Sequence, residues 1–215
     1  MTRLTGTIIF IGGILILIAT ILHPPLVNPY AGRIAFHEFN HSGIWMWDHI
    51  LMLIGMFLWL GGLAGSSCFI SMEKTSLSKI GSAMFYISLS LWIIVLTAEL
   101  TILPIIGEEV LKNQQEMLVK VWEANFSFGL LAGYIAVACG WIGIIFYGLG
   151  IKPNGKPYSV WFKNSCVYSG IIGTAGIFLT FCFFKAGLIL LPLTSGPVFL
   201  WTLWWGWKLV KGTVK

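Results

Sequence analysis

The feature that most constrains this chain is a succession of apolar stretches, each about as long as a bilayer core is thick. They fall near residues 5–22, 44–70, 80–105, 127–149, 165–188 and 197–210. A helix needs about 20 apolar residues to cross the hydrocarbon, and the first five stretches reach or exceed that length. Backbone amides inside lipid must be paired within the segment, which favours helices. The expectation is an all-α, polytopic membrane helix bundle of six transmembrane helices, forming a single transmembrane domain over residues 1–215. Charge agrees, because only 10% of residues are charged where soluble domains carry about a quarter. The net charge of +5 is spread thinly, without the basic run or aromatic-interleaved patch that tracks phosphates, so no nucleic-acid partner is expected.

The stretch over 5–22 reads as a retained first span, because it is too long for a signal-peptide core and lacks an A-x-A-like cleavage site. Pro24, Pro25 and Pro29 then force an extended exit, since proline cannot continue the helical ladder. Lys and Arg placement sets the orientation. With the N-terminus inside, Arg3, Lys74, Lys79, Lys152, Lys156, Lys163, Lys208, Lys211 and Lys215 are cytoplasmic, and Arg33, Lys112, Lys120 and Lys185 are outside. That predicts N-in, C-in, in a prokaryote-like cytoplasmic (inner) membrane. The third loop, with Glu108, Glu109, Glu116 and Glu123, then lies outside and suits a short amphipathic surface helix. Cys68, Cys139, Cys166 and Cys182 sit in apolar segments without CxxC spacing and read as packing residues. Gly129 and Gly133, and Gly170, Gly173 and Gly176, are spaced for close helix packing. Trp201, Trp204, Trp205 and Trp207 read as an interfacial aromatic belt.

Ligand-capable side chains concentrate between His37 and His49, in HEFNHSGIWMWDH, with His23 a short loop upstream. HEFNH fits H-E-x-x-H and resembles the zincin pattern, in which His37 and His41 would share a zinc and Glu38 would be catalytic, activating its water. In carrying a zinc motif on a polytopic protein the chain is also similar to site-2-type membrane metallopeptidases. Those enzymes hold the motif on a membrane-embedded helix toward the cytoplasm and add an aspartate-before-glycine motif, which this chain lacks. A helix running unbroken through Gly43 would instead bring His37, His41 and Asp48 into a stripe ~40° wide, with Glu38, Trp45 and His49 beside it. A helix start at Ser42-Gly43 would leave His37 and His41 in the loop.

Depth adds a third constraint. At ~1.5 Å per residue, His23 lies about 30 Å from Arg3 and Glu99 about 30 Å from Lys79. On the same scale Lys185 lies about 33 Å from Lys163 and His49 about 36 Å from Glu73. Four ionisable groups from different spans thus reach one outer layer, where a Glu99–Lys185 ion pair is expected beneath the histidines. His37, His41, Asp48 and His49 are the candidate metal ligands, for Cu, Zn or Fe. His23 and His49 are the candidate axial ligands if the cofactor is haem b. Interface histidines are also common simply as polar helix ends, and Asp48 suits a helix N-terminus.

The favoured function is binding of a transition metal or haem at a His/carboxylate site on the outer face, within a small subunit of a membrane redox complex. The alternatives are an HExxH membrane metallopeptidase, a transporter using Glu99 and Lys185, and an accessory subunit without a site. The expected surroundings are the lipid bilayer and either other membrane subunits or a homo-oligomer.

Overall fold

A run of apolar residues with no breaker carries helix α1 (Thr2–Leu22) until Pro24 and Pro25 end it. In the computed structural model, which describes residues 2–70, 76–113, 115–153 and 158–212, every described element is helical. After α1 come α2 (Gly32–His41), α3 (Trp45–Gly65), the single turn α4 (Ser67–Ile70), α5 (Ser76–Asn113), α6 (Glu116–Gly150), α7 (Val160–Cys182) and α8 (Gly187–Val210). Six of these segments are long and apolar enough to cross a membrane, with α3 and α4 counted as one span. The expected helical membrane bundle is therefore present. Gly6 of α1 abuts Gly206 of α8, so the start of α1 and the last turns of α8 lie together. Glu73, Lys74, Lys156 and Lys215, used above to place depth and orientation, lie outside the described residues.

Two boundaries differ from the sequence reading. The third loop is not a separate surface helix, because α5 (38 residues) and α6 (35 residues) run on past their apolar cores. At ~1.5 Å per residue each exceeds 50 Å, so the pair projects well beyond a ~30 Å hydrocarbon layer. Lys112 with Glu108 at 3.8 Å and Lys120 with Glu116 at 3.5 Å support the projecting turns, as i,i+4 ion pairs do. The other change is near the C-terminus. Phe183 leaves the helical region, a 3-10 turn follows over Phe184–Ala186, and α8 begins at Gly187 and continues through Pro192 and Pro197. Proline is tolerated in membrane helices where neighbouring groups satisfy the freed carbonyls, so the last span begins at Gly187 instead of residue 197, taking 187–188 from the fifth span and the stretch between the two.

Close packing depends on glycine at a few crossings. A Cβ on Gly12 would meet the backbone of Trp59 and stand 2.9 Å from the Gly55 carbonyl, so α1 and α3 cross with their backbones nearly touching. Gly129 and Gly133 turn toward α5, 3.3 Å from Glu99 Oε1 and 3.5 Å from the Trp92 ring when a Cβ is placed on each. That motif serves packing within the chain. The C-terminal tryptophans divide between two roles and do not form one belt. Trp201 and Trp205 are buried against Phe162, with Trp205 Nε1 donating to Ser66 Oγ at 3.1 Å, while Trp207 is exposed.

Short α2 is held by its apolar side. Ala35, Phe36 and Phe39 pack on Trp122, Phe126 and Leu103 of the projecting α5–α6 pair, and Trp122 Nε1 donates to the Leu103 carbonyl at 3.0 Å. This second cluster closes the end of the bundle where His23 and His49 lie.

Replacing Gly12 by Leu should lower stability by about 1–3 kcal/mol or prevent folding, the usual cost of overpacking. Gly61→Leu, where a Cβ meets nothing within 4 Å, should leave the thermal midpoint in detergent nearly unchanged. Equal midpoints for the two variants would show that the α1–α3 crossing is looser than described.

Candidate functional site

The candidate site is built where α1 stops. The His23 amide still donates to Ala19 O at 2.9 Å, closing the last turn, and its ring Nδ1–H donates to the Pro24 carbonyl at 2.7 Å. The following loop is tied to α6, with Tyr134 OH donating to Val27 O and Ser127 Oγ to Pro29 O. Two prolines and two tethers therefore fix where the His23 imidazole sits. Burial, and after it the His49 ring, hold His23 below the ordinary histidine value, so it is neutral near pH 7 and its Nε2 lone pair is bare.

The helix does break ahead of α3. Ser42 adopts φ −82°, ψ 92°, and Trp45 opens the next helix, so the shared stripe of His37, His41 and Asp48 does not form. His37 and His41 are exposed on α2, with ring centroids 4.1 Å apart and His41 Nδ1–H donating to His37 O at 2.8 Å; Glu38 is half-buried on the same helix. Asp48 and His49 go the other way, into the bundle, at 1% and 0% exposure. Among the described residues, the only group of three or more metal-capable side chains is His23, Asp48 and His49, whose donor atoms lie within 4.8 Å of one another.

Hydrogen bonding fixes the His49 tautomer. Its Nδ1 is 2.7 Å from both Asp48 Oδ1 and the Trp45 carbonyl. Both partners are acceptors, so Nδ1 carries the proton and shares it between them. Nε2 then points at Glu99 of α5, 3.2 Å from Oε2, yet not aligned for a hydrogen bond. Asp48 Oδ2 is likewise buried without a partner. A proton on Nε2 would make this contact an ion pair; unprotonated, Nε2 would present a lone pair to a carboxylate, and two acceptors at 3.2 Å repel unless a cation lies between or beside them. Buried polar atoms left unpaired cost roughly 1–3 kcal/mol each.

Glu99 thus belongs to the site, but its ionic partner is His49 and not Lys185. Lys185 lies on the 3-10 turn after α7 and is exposed. Because α7 ends at Cys182 and a 3-10 turn follows, Lys185 is exposed instead of reaching into the bundle. Three of the four groups that depth arithmetic put in one layer do meet there.

Trp45 is the member that sequence reasoning passed over as a site residue. Its carbonyl accepts from His49, its ring stacks on His49 with centroids 4.4 Å apart, and its Nε1 donates to the Glu99 carbonyl at 3.2 Å. It is also 5.9 Å from His23 by ring centroids. The i,i+4 spacing of Trp45 and His49 is the signal that pointed to it.

Beneath these groups a cavity of about 770 Å³ reaches down the bundle axis, with His23 and Glu99 in its wall. Comparison with protein-family models, with curated proteins and with solved structures gives no match.

The chemistry of the donor set is oxygen and imidazole nitrogen without thiolate, which suits divalent first-row transition ions. Donors bound at ~2.1 Å to one ion lie at most about 4.2 Å apart. The His49–Glu99 edge, at 3.2 Å, satisfies this, and His23, Asp48 and His49, with donor atoms within 4.8 Å of one another, form a group of a size that could hold a metal ion.

A double-mutant cycle separates the two possible partners of Glu99. Glu99→Gln with His49→Gln should show coupling of about 1 kcal/mol or more in unfolding, as contacting pairs do, whereas Glu99→Gln with Lys185→Gln should be additive within about 0.5 kcal/mol. Coupling to Lys185 alone would reverse the assignment.

Proposed function

We propose that this protein binds one divalent transition-metal ion among His23, Asp48, His49 and Glu99. The observation that carries the reading is the buried, misaligned approach of His49 Nε2 to Glu99 Oε2 with Asp48 Oδ2 also unpaired. With both carboxylates ionised, a proton on Nε2 would leave the cluster at net −1. A divalent ion with two neutral imidazoles brings it to zero. Net charge in a low-dielectric interior is costly, so the second state is the better match. In this arrangement His49 and Glu99 supply donors whose spacing already suits the ion, and His23 adds a second imidazole. Asp48 holds the His49 ring by the carboxylate–histidine contact typical of metal sites. The bound ion would act as a Lewis acid or a one-electron centre, depending on its identity.

Haem fits less well than an ion. Two imidazoles on opposite faces of a porphyrin have centroids about 6 Å apart, from Fe–N bonds of ~2 Å on each side. The His23 and His49 centroids are 5.0 Å apart, with the rings tilted by 52°. The peptidase reading has no similar support, because His37 and His41 are exposed on α2 and belong to no larger donor group among the described residues.

Orientation and location follow from charge. Seven of the eight acidic residues lie from Glu38 to Asp48 and from Glu99 to Glu123, at or toward the end bearing the site, and the basic residues are concentrated at the opposite end. The positive-inside tendency then gives N-in, C-in, with the site near the outer face of a cytoplasmic membrane.

The test is metal analysis of the purified protein, followed by Co²⁺ titration of the stripped protein read by its visible ligand-field bands. One equivalent should bind. His49→Ala and Glu99→Gln should weaken it at least tenfold, and Asp48→Asn should weaken it by about 10- to 100-fold, the usual cost of losing such a supporting contact. Glu38→Gln, His37→Ala and His41→Ala should leave it unchanged. Absence of stoichiometric binding, or loss of it through His37 and His41, would overturn the reading.

A further inference from the structure

We infer that the cavity below His23 and Glu99 is a binding site for a membrane-soluble quinol, a planar hydroxylated ring on an apolar tail. This goes beyond ion binding and does not depend on it.

The cavity's volume, about 770 Å³, falls in the range of small-molecule sites, roughly 300–1,000 Å³. On α5 its wall includes both Glu99 and Ser88, eleven residues apart, or ~16 Å of depth. That is long enough for a ring and a short tail. The wall is mostly apolar and rich in flat side chains, with Trp59, Trp92, Phe126, Tyr134 and Trp141 among them. Such faces favour an aromatic guest by offset or edge stacking.

The way in is from the lipid. Helices α1 and α8 are closed together where Gly6 meets Gly206. In the other half, Leu17 and Ile21 on α1 and Leu188 and Pro192 on α8 line the cavity and are also exposed. Gly196, also in the wall, has nothing within 4 Å of where a Cβ would stand. A guest dissolved in the bilayer can enter between these two helices without passing through water.

Hydrogen bonding selects the head group. Four donors of the wall are already committed within the protein: Ser88 to Ala136 O at 2.7 Å, Trp59 to Thr202 Oγ1 at 2.9 Å, Trp141 to Ser195 Oγ at 3.1 Å and Tyr134 to Val27 O. What the site end of the cavity offers is acceptors. Glu99 Oε1 is the oxygen turned away from His49, toward Gly129, and it remains available whether or not an ion occupies the His49 side of the carboxylate. A guest that brings a donor is matched at the Glu99 end. A hydroxyl on a ring does so, whereas a fatty-acid carboxylate would bring more acceptors to a cluster that already holds Asp48 and Glu99. Glycine at 129 leaves room beside the Glu99 carboxyl for that hydroxyl.

The experiment is anaerobic titration of the full-length protein in detergent with a decyl-substituted benzoquinol, read by tryptophan fluorescence, with metal content measured on the same sample. Saturable quenching is expected, at least tenfold weaker with the dimethyl ether of the same quinol, which has no O–H. Gly196→Leu and Gly133→Leu, two independent fillings of the cavity, should each weaken it at least tenfold, and the variant with an unchanged thermal midpoint is the one that decides. Quenching that never saturates, or that is equal for the quinol and its ether, overturns the proposal. So does displacement of the quinol by an equimolar amount of oleic acid, which would make this an acyl-chain site. Because metal content is read separately, a sample without metal that binds quinol sinks the ion reading alone, and a metal-loaded sample that does not bind quinol sinks this one alone.

Discussion

Two carboxylates taken out of water against one imidazole set the terms for the rest of this structure. Asp48 and His49 are fully buried, and Glu99 is 12% exposed by its side chain. Ionised groups inside a bundle are expensive unless they pair with one another or with a bound cation. Everything around them restricts their freedom. The Trp45 carbonyl and Asp48 lock one face of the His49 ring, the stacked Trp45 indole covers its flat side, and the Trp45 Nε1–H holds the α5 backbone at Glu99. The prolines after α1 bring His23 to the same place, and Tyr134 and Ser127 keep that loop on α6.

Close helix packing makes this possible. Because α1 and α3 cross with Gly12 against Gly55, the ends of the two helices stay near each other, and His23 and His49 come within 5.0 Å by ring centroids. The α5–α6 pair supplies the third wall and, through its projecting turns, the apolar surface on which α2 rests. The exposed histidines of α2 and the buried histidine of α3 are separated by three residues that do not form helix, Ser42 to Ile44. That short break assigns neighbouring residues in the sequence to different environments.

Much of this was legible in the sequence, for reasons that differ by residue. Span number and position follow from apolar length, a property of each segment alone. The common depth of His23, His49 and Glu99 follows from helix rise counted from the far end, which needs no knowledge of packing. Lys185 was misplaced by the same count, because Phe183 ends α7 and nothing in the local composition marks that stop. The break at Gly43 stood as one of two possibilities, since glycine both permits and interrupts a helix. The last span was read as starting at residue 197, but α8 begins at Gly187 and runs through Pro192 and Pro197. Trp45 stood in one stripe with Glu38 and His49; its part in orienting His49 depends on a carbonyl and a ring face, which composition does not record.

The members of the site are dispersed along the chain, and that has a consequence for its synthesis. His23, Asp48 and His49 emerge early, whereas Glu99 belongs to a helix made later, 76 residues after His23 by number, 99 less 23. While α5 is still in the ribosome, the first two spans hold an aspartate and two histidines at the membrane edge without the second carboxylate. The cluster is completed only when the third span is delivered beside the first two.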